Sequence, residues 1–352
     1  MPINRDHVDP DELTSQVRTA LADLEINGPN SLADLLPSEM LDDIEYTAEE
    51  GQGGLITAAD YRAYDGTLTI GRDEALGQMR GRIHSLGQTI PLMEEDRLRM
   101  RNDSEAALRA AIERMAKRAA RAVGVQVNLK RAEALSTGKL FFRGNGQNFD
   151  VDFGRKPEFT TTATDLFTDE TKDPIGTLET LMEAWEDENG YLPELMIASS
   201  KVKRAFYRHP KITNMAFGRS DSGGRYAPEA AVDALLSQYD LPSFTVRGGK
   251  VKVRNLDGSE TVKNLLPDDS IILLPGAGDA GEAGSSDLGF TAWGTTLESQ
   301  KSEWGIAPEE AAGIVAAVFD NEKPPARMEV YALAIAMPVL VNPNLSLCAK
   351  VI

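Results

Sequence analysis

Apolar positions predict one long helix in the first half of the chain. The residues that recur at steps of three and four are Leu108, Ile112, Met115, Ala119 and Ala122. This is the period of a helix with one buried face, and Asn102 and Glu105 have capping-box spacing at its start. We expect the helix to run past Gly124 into "KRAEALSTG", about 33 residues and about 50 Å at the helical rise. A helix of that length predicts a structural spine.

The first fifty residues are predicted to form an extended, partly helical arm. Leu13, Val17 and Leu21 have helical spacing, and "NGPN" ends the pattern. A second short helix is predicted over "SLADLLPSEMLDDI", interrupted by Pro37. We expect that this arm cannot form a core alone.

Residues 53–92 are rich in glycine and predicted β structure. Asp65-Gly66 lies between "YRAY" and "TLTI", which is a hairpin signal because both central turn residues favour positive φ. This stretch has too few large apolar residues to form its own core, so we expect its stability to depend on contacts with residues outside it. Its arginines include Arg62, Arg72, Arg80 and Arg82.

After the long helix, the pattern predicts a hairpin and then a mixed α/β region. Asn145-Gly146 predicts the turn, and the strand after it alternates apolar residues with Asp150 and Asp152. From about residue 170 to 310, predicted helices over 175–188, 201–207 and 228–239 surround a strand over 193–200. This alternation predicts an α/β domain.

The last third of the chain is predicted to be rich in strands. Residues 243–265 contain Gly248-Gly249 and Asp257-Gly258, which predict a meander of three short strands. Residues 327–341 and 345–352 read as two buried strands.

Charge and cysteine content narrow the function classes. The formal charge of -18 argues against a surface that binds nucleic acid. Residues 1–60 hold 14 Asp and Glu against two arginines, whereas residues 96–132 hold 10 Lys and Arg against four acids. Either neighbouring chains contact through these segments or both are solvated faces. Cys348, the single cysteine, excludes an intrachain disulfide and reads as a buried strand residue. We predict no secretion signal and no membrane span.

The chemical motifs are weak. Gly276, Gly278 and Gly281 follow a strand in G-x-G-x-x-G spacing, but "DAGEAGSSDLG" is a poor helix to receive a pyrophosphate, which favours a loop between strands. Ser200 and Lys203 form S-x-x-K, yet Ser199 or Ser200 is better placed as a helix cap. The histidines, His7, His84 and His209, lack ligand spacing. We therefore predict no catalytic residue, no cofactor and no metal site.

The order of these elements resembles a known family. The segments that carry the likeness are "EALSTGKLFFRG", "FDVDFGR", "PDDSIILLP", "GFTAWGTTLESQKSEWG" and "PVLVNPNLSLCAKVI". The chain resembles the major capsid proteins of tailed bacteriophages, in particular the lambda-type family with the Hong Kong 97 fold.

This resemblance implies an α+β, Hong Kong 97-like capsid fold. The implied parts are an N-terminal arm (1–52), an extended β-hairpin loop (53–92), a peripheral domain with the spine helix (93–169), an inserted α/β axial domain (170–317) and closing peripheral strands (318–352). Arg62, Arg72, Arg80 and Arg82 become the candidate intersubunit contacts.

The resemblance also implies a structural function rather than an enzyme. The chain would self-assemble through pentamers and hexamers into an icosahedral shell around double-stranded DNA, without sequence-specific binding, cofactor or membrane. Scaffold, portal and decoration proteins are the expected partners, and the location is the virion, assembled in the host cytoplasm. Two alternatives remain: an encapsulin-like compartment shell, and an NAD(P)-dependent oxidoreductase using the loop at 276–281.

Overall fold

A computed structural model gives the fold of residues 3–49, 78–100, 104–144, 146–218, 226–254, 257–278, 284, 286–321 and 327–352. Its helices are α1 (Pro10–Asn27), α2 (Glu94–Arg99), α3 (Glu105–Thr137), α4 (Pro174–Asn189), α5 (Ser200–Arg208), α6 (Pro210–Phe217) and α7 (Glu229–Gln238). Its strands are β1 (Ser38–Met40), β2 (Glu45–Glu49), β3 (Gln78–Arg82), β4 (Ser85–Leu92), β5 (Lys139–Gly144), β6 (Gln147–Asp152), β7 (Thr160–Thr162), β8 (Leu195–Ala198), β9 (Phe244–Val246), β10 (Lys250–Arg254), β11 (Glu260–Asn264), β12 (Ser270–Leu274), β13 (Gly289–Gly294), β14 (Val315–Asn321), β15 (Arg327–Leu340) and β16 (Leu347–Lys350). Arg62, Arg72, the Asp65-Gly66 turn, Asn102, Asn145 and Gly281 lie outside the described residues.

The chain forms two compact units. The first contains Met1–Thr47, Arg80–Ala134 and Gly278–Val339; the second contains Ala48–Met79, Leu135–Ala277 and Leu340–Ile352. These ranges differ from the implied capsid domains, since residues 278–317 lie in the first unit. The division into arm, loop, peripheral and axial domains stays a prediction.

The first unit is built on a sheet that is covered on both faces. Its strand order is β1-β13-β15-β14, and β4 also pairs with β15. One face carries α1 and α3, whose apolar residues share a core with alternate residues of β14 and β15. Residues of opposite parity, Val315 and Ala317, contact Trp304 on the other face. The strands are therefore apolar on both sides, as buried strands are.

The predicted spine helix is confirmed. α3 is 33 residues long, but the predicted capping box is wrong: the helix begins at Glu105, and Ser104 caps its first turn, since Ser104 Oγ accepts the Ala107 N–H at 3.3 Å. Ile112 and Ala119 are fully buried as expected. Glycine lowers helix stability by about 1 kcal/mol relative to alanine, but at Gly124 a Cβ would meet Leu24 and Leu21 of α1 at 2.7 and 2.8 Å. Gly124 therefore lets α1 lie close against α3.

The second short helix predicted near residue 37 is wrong. Residues 32–36 form a turn in which the Leu35 and Leu36 N–H groups donate to the Leu32 carbonyl. Pro37 disfavours the helical conformation at Leu36, and the chain continues as β1, which pairs in parallel with β13. Burial of Leu32, Leu35 and Leu36 decides this local structure.

Where they are described, residues 1–92 are supported by the rest of their own chain. Leu13 and Val17 of α1 are fully buried in the core of the first unit. β4 pairs with β15 along eight residues, from Ser85 opposite Ile335 to Leu92 opposite Met328. α1 and β4 therefore obtain their partners from the same chain.

The second unit contains a mixed five-stranded sheet with strand order β7-β16-β12-β8-β9. β12 is buried at every position and lies antiparallel to both β16 and β8. The predicted hairpin is confirmed as β5 and β6, which pair from Lys139 opposite Asp152 to Gly144 opposite Gln147. The helices predicted near 175, 201 and 228 are confirmed as α4, α5 and α7.

In the predicted three-stranded meander, one strand pairing is confirmed and the other is wrong. β10 and β11 pair around Asp257-Gly258 as expected, but β9 pairs in parallel with β8. Phe244 at the start of β9 lies 4.9 Å from Phe206 between ring centroids. This aromatic contact favours a place for β9 in the main sheet over a third strand of the hairpin.

Candidate functional site

A buried polar cluster surrounds Arg131 in the first unit. The Arg131 side chain is 1% exposed and donates from Nη2 to Glu25 Oε1 at 2.7 Å and to Ser38 Oγ at 3.0 Å. Its Nε donates to Thr291 Oγ1 at 2.8 Å. Ser38 Oγ donates to the Glu25 carboxylate at 3.0 Å and accepts the Trp293 indole N–H at 3.0 Å. Four elements, α1, β1, α3 and β13, therefore meet at one charge pair.

Burial sets the electrostatics of this cluster. Desolvation lowers the pKa of Arg131, and the nearby carboxylate of Glu25 opposes that effect. A buried charge is tolerated only when it is paired and hydrogen-bonded. The cluster therefore fixes the N-terminal segment to the long helix. The sequence contained a signal for the burial of Arg131, because this residue lies four positions after Val127 and continues the buried stripe of α3.

The charge asymmetry of the sequence is partly neutralised within the chain. Arg109 of α3 pairs with Glu12 of α1, and Arg131 pairs with Glu25. These two contacts join the acidic first segment to the basic helix in one subunit. Neighbouring chains are therefore not needed for these pairs, although Arg114, Arg118 and Arg121 of α3 remain exposed.

Arg80 and Arg82 lie on a two-stranded ribbon formed by β2 and β3. Both arginines are exposed and alternate with half-buried residues, so they share one face of β3. On the other side, a Cβ at Gly81 would lie 2.5 Å from the hydroxyl of the buried Tyr46. Burial also raises the pKa of Tyr46. The structure thus places two of the four candidate contact residues together, while Arg62 and Arg72 lie outside the described residues.

Replacing Gly81 with alanine is expected to destabilise the first unit by about 1–3 kcal/mol, because the new methyl group overlaps the Tyr46 ring. The measurement is urea unfolding of the full chain. Gly248→Ala is the matched control, since no atom lies within 4 Å of a Cβ there. Equal effects at the two glycines would contradict the close contact.

The glycine loop after β12 has surroundings unlike those of a dinucleotide site. A dinucleotide fold needs a parallel neighbouring strand and a helix after the loop, whereas both neighbours of β12 are antiparallel. The Glu194 carboxylate is so near Gly276 that a Cβ there would meet it at 2.7 Å. A carboxylate at this position repels phosphate. These features argue against the oxidoreductase alternative.

The other candidate groups have structural roles. Ser199 Oγ accepts the Val202 N–H at 3.1 Å and so caps α5, as predicted, while Lys203 Nζ lies 2.5 Å from Glu229. The buried His209 accepts the Lys211 N–H at 3.3 Å through Nδ1 and lies 3.1 Å from the Asp169 carbonyl through Nε2.

Cys348 is buried in β16 as predicted, and desolvation raises the pKa of its thiol to about 11. Such a thiol is almost wholly protonated at neutral pH and is a poor nucleophile. Within the residues that the structure describes, no cluster of His, Cys, Asp and Glu has the arrangement of a metal site. The helices described also include none with the length and apolar content needed to cross a bilayer.

Comparison with known proteins identifies the family. A family model described as phage major capsid protein E matches residues 45–351. A search of curated proteins finds no match. Among solved structures, the chain is similar to a prophage capsid protein of Escherichia coli CFT073, with a TM-score of 0.60 and 15% identity over 96% of this chain and 99% of that one. It is also similar to a phage-related protein of Bordetella bronchiseptica RB50, with a TM-score of 0.53 and 13% identity over 96% and 95% of the two chains.

These findings confirm the α+β, Hong Kong 97-like fold and the structural function predicted from the sequence. They favour a phage head over an encapsulin-like compartment, because the matching family model is that of a phage capsid protein. Since that model covers most of the sequence, the chain belongs to the phage major capsid protein E family, the structural proteins that form the shell of the bacteriophage head.

Proposed function

We propose that this capsid protein assembles through pentamers and hexamers into an icosahedral shell around double-stranded DNA. Residues 53–92 form the extended loop, which reaches a neighbouring subunit through the part before β4, since β4 pairs with β15 of its own chain. Residues 170–317 surround the capsomer centre. Assembly takes place in the host cytoplasm with scaffold, portal and decoration proteins as partners, and the chain itself carries out no catalysis. The family match is the observation that carries this proposal.

The ribbon of β2 and β3 supports the part of the proposal that concerns Arg80 and Arg82. A two-stranded ribbon is at best marginally stable when nothing covers it. Here one side is fixed by the buried Tyr46, while both arginines are exposed on the other. Arginine is well suited to an interface because its fork of donors binds carboxylates bidentately. The neighbouring subunit supplies those carboxylates, and Arg62 and Arg72 extend the same contact.

Assembly of the purified full chain tests the proposed function directly. We expect light scattering to report capsomers or larger particles and negative-stain images to show rings or shells. A monodisperse monomer at micromolar concentration would overturn the proposal.

The role of Arg80 and Arg82 is tested by replacing both with glutamate. The expected result is a folded chain with a loss of particles of about tenfold or more, because like charges then meet across the contact. Arg99→Glu is the control, since Arg99 is exposed and pairs with Glu95 on its own helix at 2.6 Å. Normal assembly of the double variant would contradict an intersubunit role for these arginines.

A further inference from the structure

The hairpin of β10 and β11 presents a basic surface with little support from its own chain. Among the strands that the structure describes, these two pair with each other and with no third strand. Every residue of β11 is exposed, and the residues of β10 alternate between exposed and half-buried. Two-stranded hairpins of this kind are marginally stable in water without a packed face. The hairpin is therefore a candidate binding surface for another element.

Its exposed face has a regular pattern of positive charge. Lys250, Lys252 and Arg254 share this face, because alternate residues of a strand point to the same side. Val262 lies opposite Lys252 and is 60% exposed. Glu260 is the acidic residue on this face and lies 3.6 Å from Lys252 Nζ. The face thus combines an exposed valine with three cations.

A complementary acidic surface lies on α4 in the same unit. The inner face of α4 is buried through Leu178, Leu181 and Trp185. Its outer face carries Glu179, Glu183 and Glu186, all exposed. In the described part of the chain, no salt bridge involves these three carboxylates. Their spacing of four and three residues places them in one stripe along the helix.

The two surfaces are also similar in length. Three alternate residues of a strand span about 14 Å, and Glu179 and Glu186, which are seven positions apart, span about 10 Å along the helix axis. Three cations on the hairpin can therefore face three carboxylates on one helix. Arginine and lysine ends are flexible enough to absorb the remaining difference.

We propose that the β10-β11 hairpin of one subunit binds the acidic face of α4 in a second copy of this chain. The inference rests on the proposed function and names a contact that builds its rings. The contact is heterologous, because two different surfaces of one chain meet. Repeating it by rotation closes a ring, as pentamers and hexamers require. A chain with net charge -18 gains from such local pairing, since its subunits otherwise repel each other.

Two charge-reversal variants test this contact. The hairpin variant carries Lys250→Glu, Lys252→Glu and Arg254→Glu, and the helix variant carries Glu179→Lys, Glu183→Lys and Glu186→Lys. Each alone is expected to lose capsomers by about tenfold or more while its circular dichroism stays that of a folded chain. Wild-type assembly by either variant alone would overturn the proposal.

Mixing the two variants gives the deciding result. Alternating subunits restore opposite charges at every contact of a six-membered ring, whereas a five-membered ring keeps one repulsive contact. We therefore expect native mass spectrometry of the mixture to show hexamers and few pentamers. Two folded variants that fail alone and also fail together would overturn the pairing of these surfaces. A wild-type chain that stays monomeric would instead overturn the proposed function and this inference with it.

Discussion

Replacing Glu25 with leucine is expected to destabilise the first unit by about 3–5 kcal/mol, because it leaves the charge of Arg131 buried without its carboxylate. Arg131 is 1% exposed, so water cannot replace the lost partner. Arg131→Met removes the other half of the pair and leaves the carboxylate, which is 14% exposed. Urea unfolding of the full chain, followed by circular dichroism, measures both changes.

The double variant Glu25→Leu with Arg131→Met is expected to lose less stability than the two single variants added together. Two apolar side chains that replace a whole buried pair are often tolerated, whereas one unpaired charge is not. Arg109→Met is the surface control, since Arg109 and Glu12 are both partly exposed. Strict additivity, or a Glu25 effect no larger than that of the control, would contradict the importance of the cluster.

Replacing Leu13 with alanine is expected to destabilise the chain by about 2–5 kcal/mol. Leu13 is fully buried in the core that α1 shares with α3 and the sheet. The loss combines transfer of the leucine side chain with the cavity left behind. Thermal or urea unfolding of the unassembled full chain gives the change.

Ile26 provides the matched control on the same helix, because it is 62% exposed. Ile26→Ala should change stability by less than about 0.5 kcal/mol. If Leu13→Ala left the unassembled subunit unchanged and weakened only the assembled shell, the N-terminal segment would be stabilised by neighbours rather than by its own chain. That outcome would overturn the packing described for α1.

Local sequence patterns were sufficient for elements whose signals repeat over many residues. The stripe beginning at Leu108 predicted α3, since a long helix satisfies its own backbone groups and needs only one apolar face. The turn at Asn145-Gly146 predicted the hairpin of β5 and β6 because the turn fixes the register of its strands. The sequence identified Arg80 and Arg82 only as arginines of a β-rich stretch, and the structure places both on one face of β3.

Short segments were decided by distant contacts. Residues 38–40 looked helical, but they become β1 because β13 supplies a parallel partner. β9 looked like part of a meander, yet it joins β8 in the main sheet. The sequence indicated that the N-terminal arm cannot form a core alone, but only the structure shows that α1 is buried against α3 in its own chain.

The sequence by itself determined the long helix, the tight hairpins and the membership of a shell-forming family. Only the tertiary structure decided that Arg131 is buried against Glu25 and that α1 belongs to the core of the first unit. The physical reason is the separation in sequence between the residues that interact. Helical period and turn chemistry act between residues a few positions apart, whereas the burial of a charge or the partner of a short strand depends on residues far away in the sequence, such as Glu25 and Arg131, which are 106 positions apart.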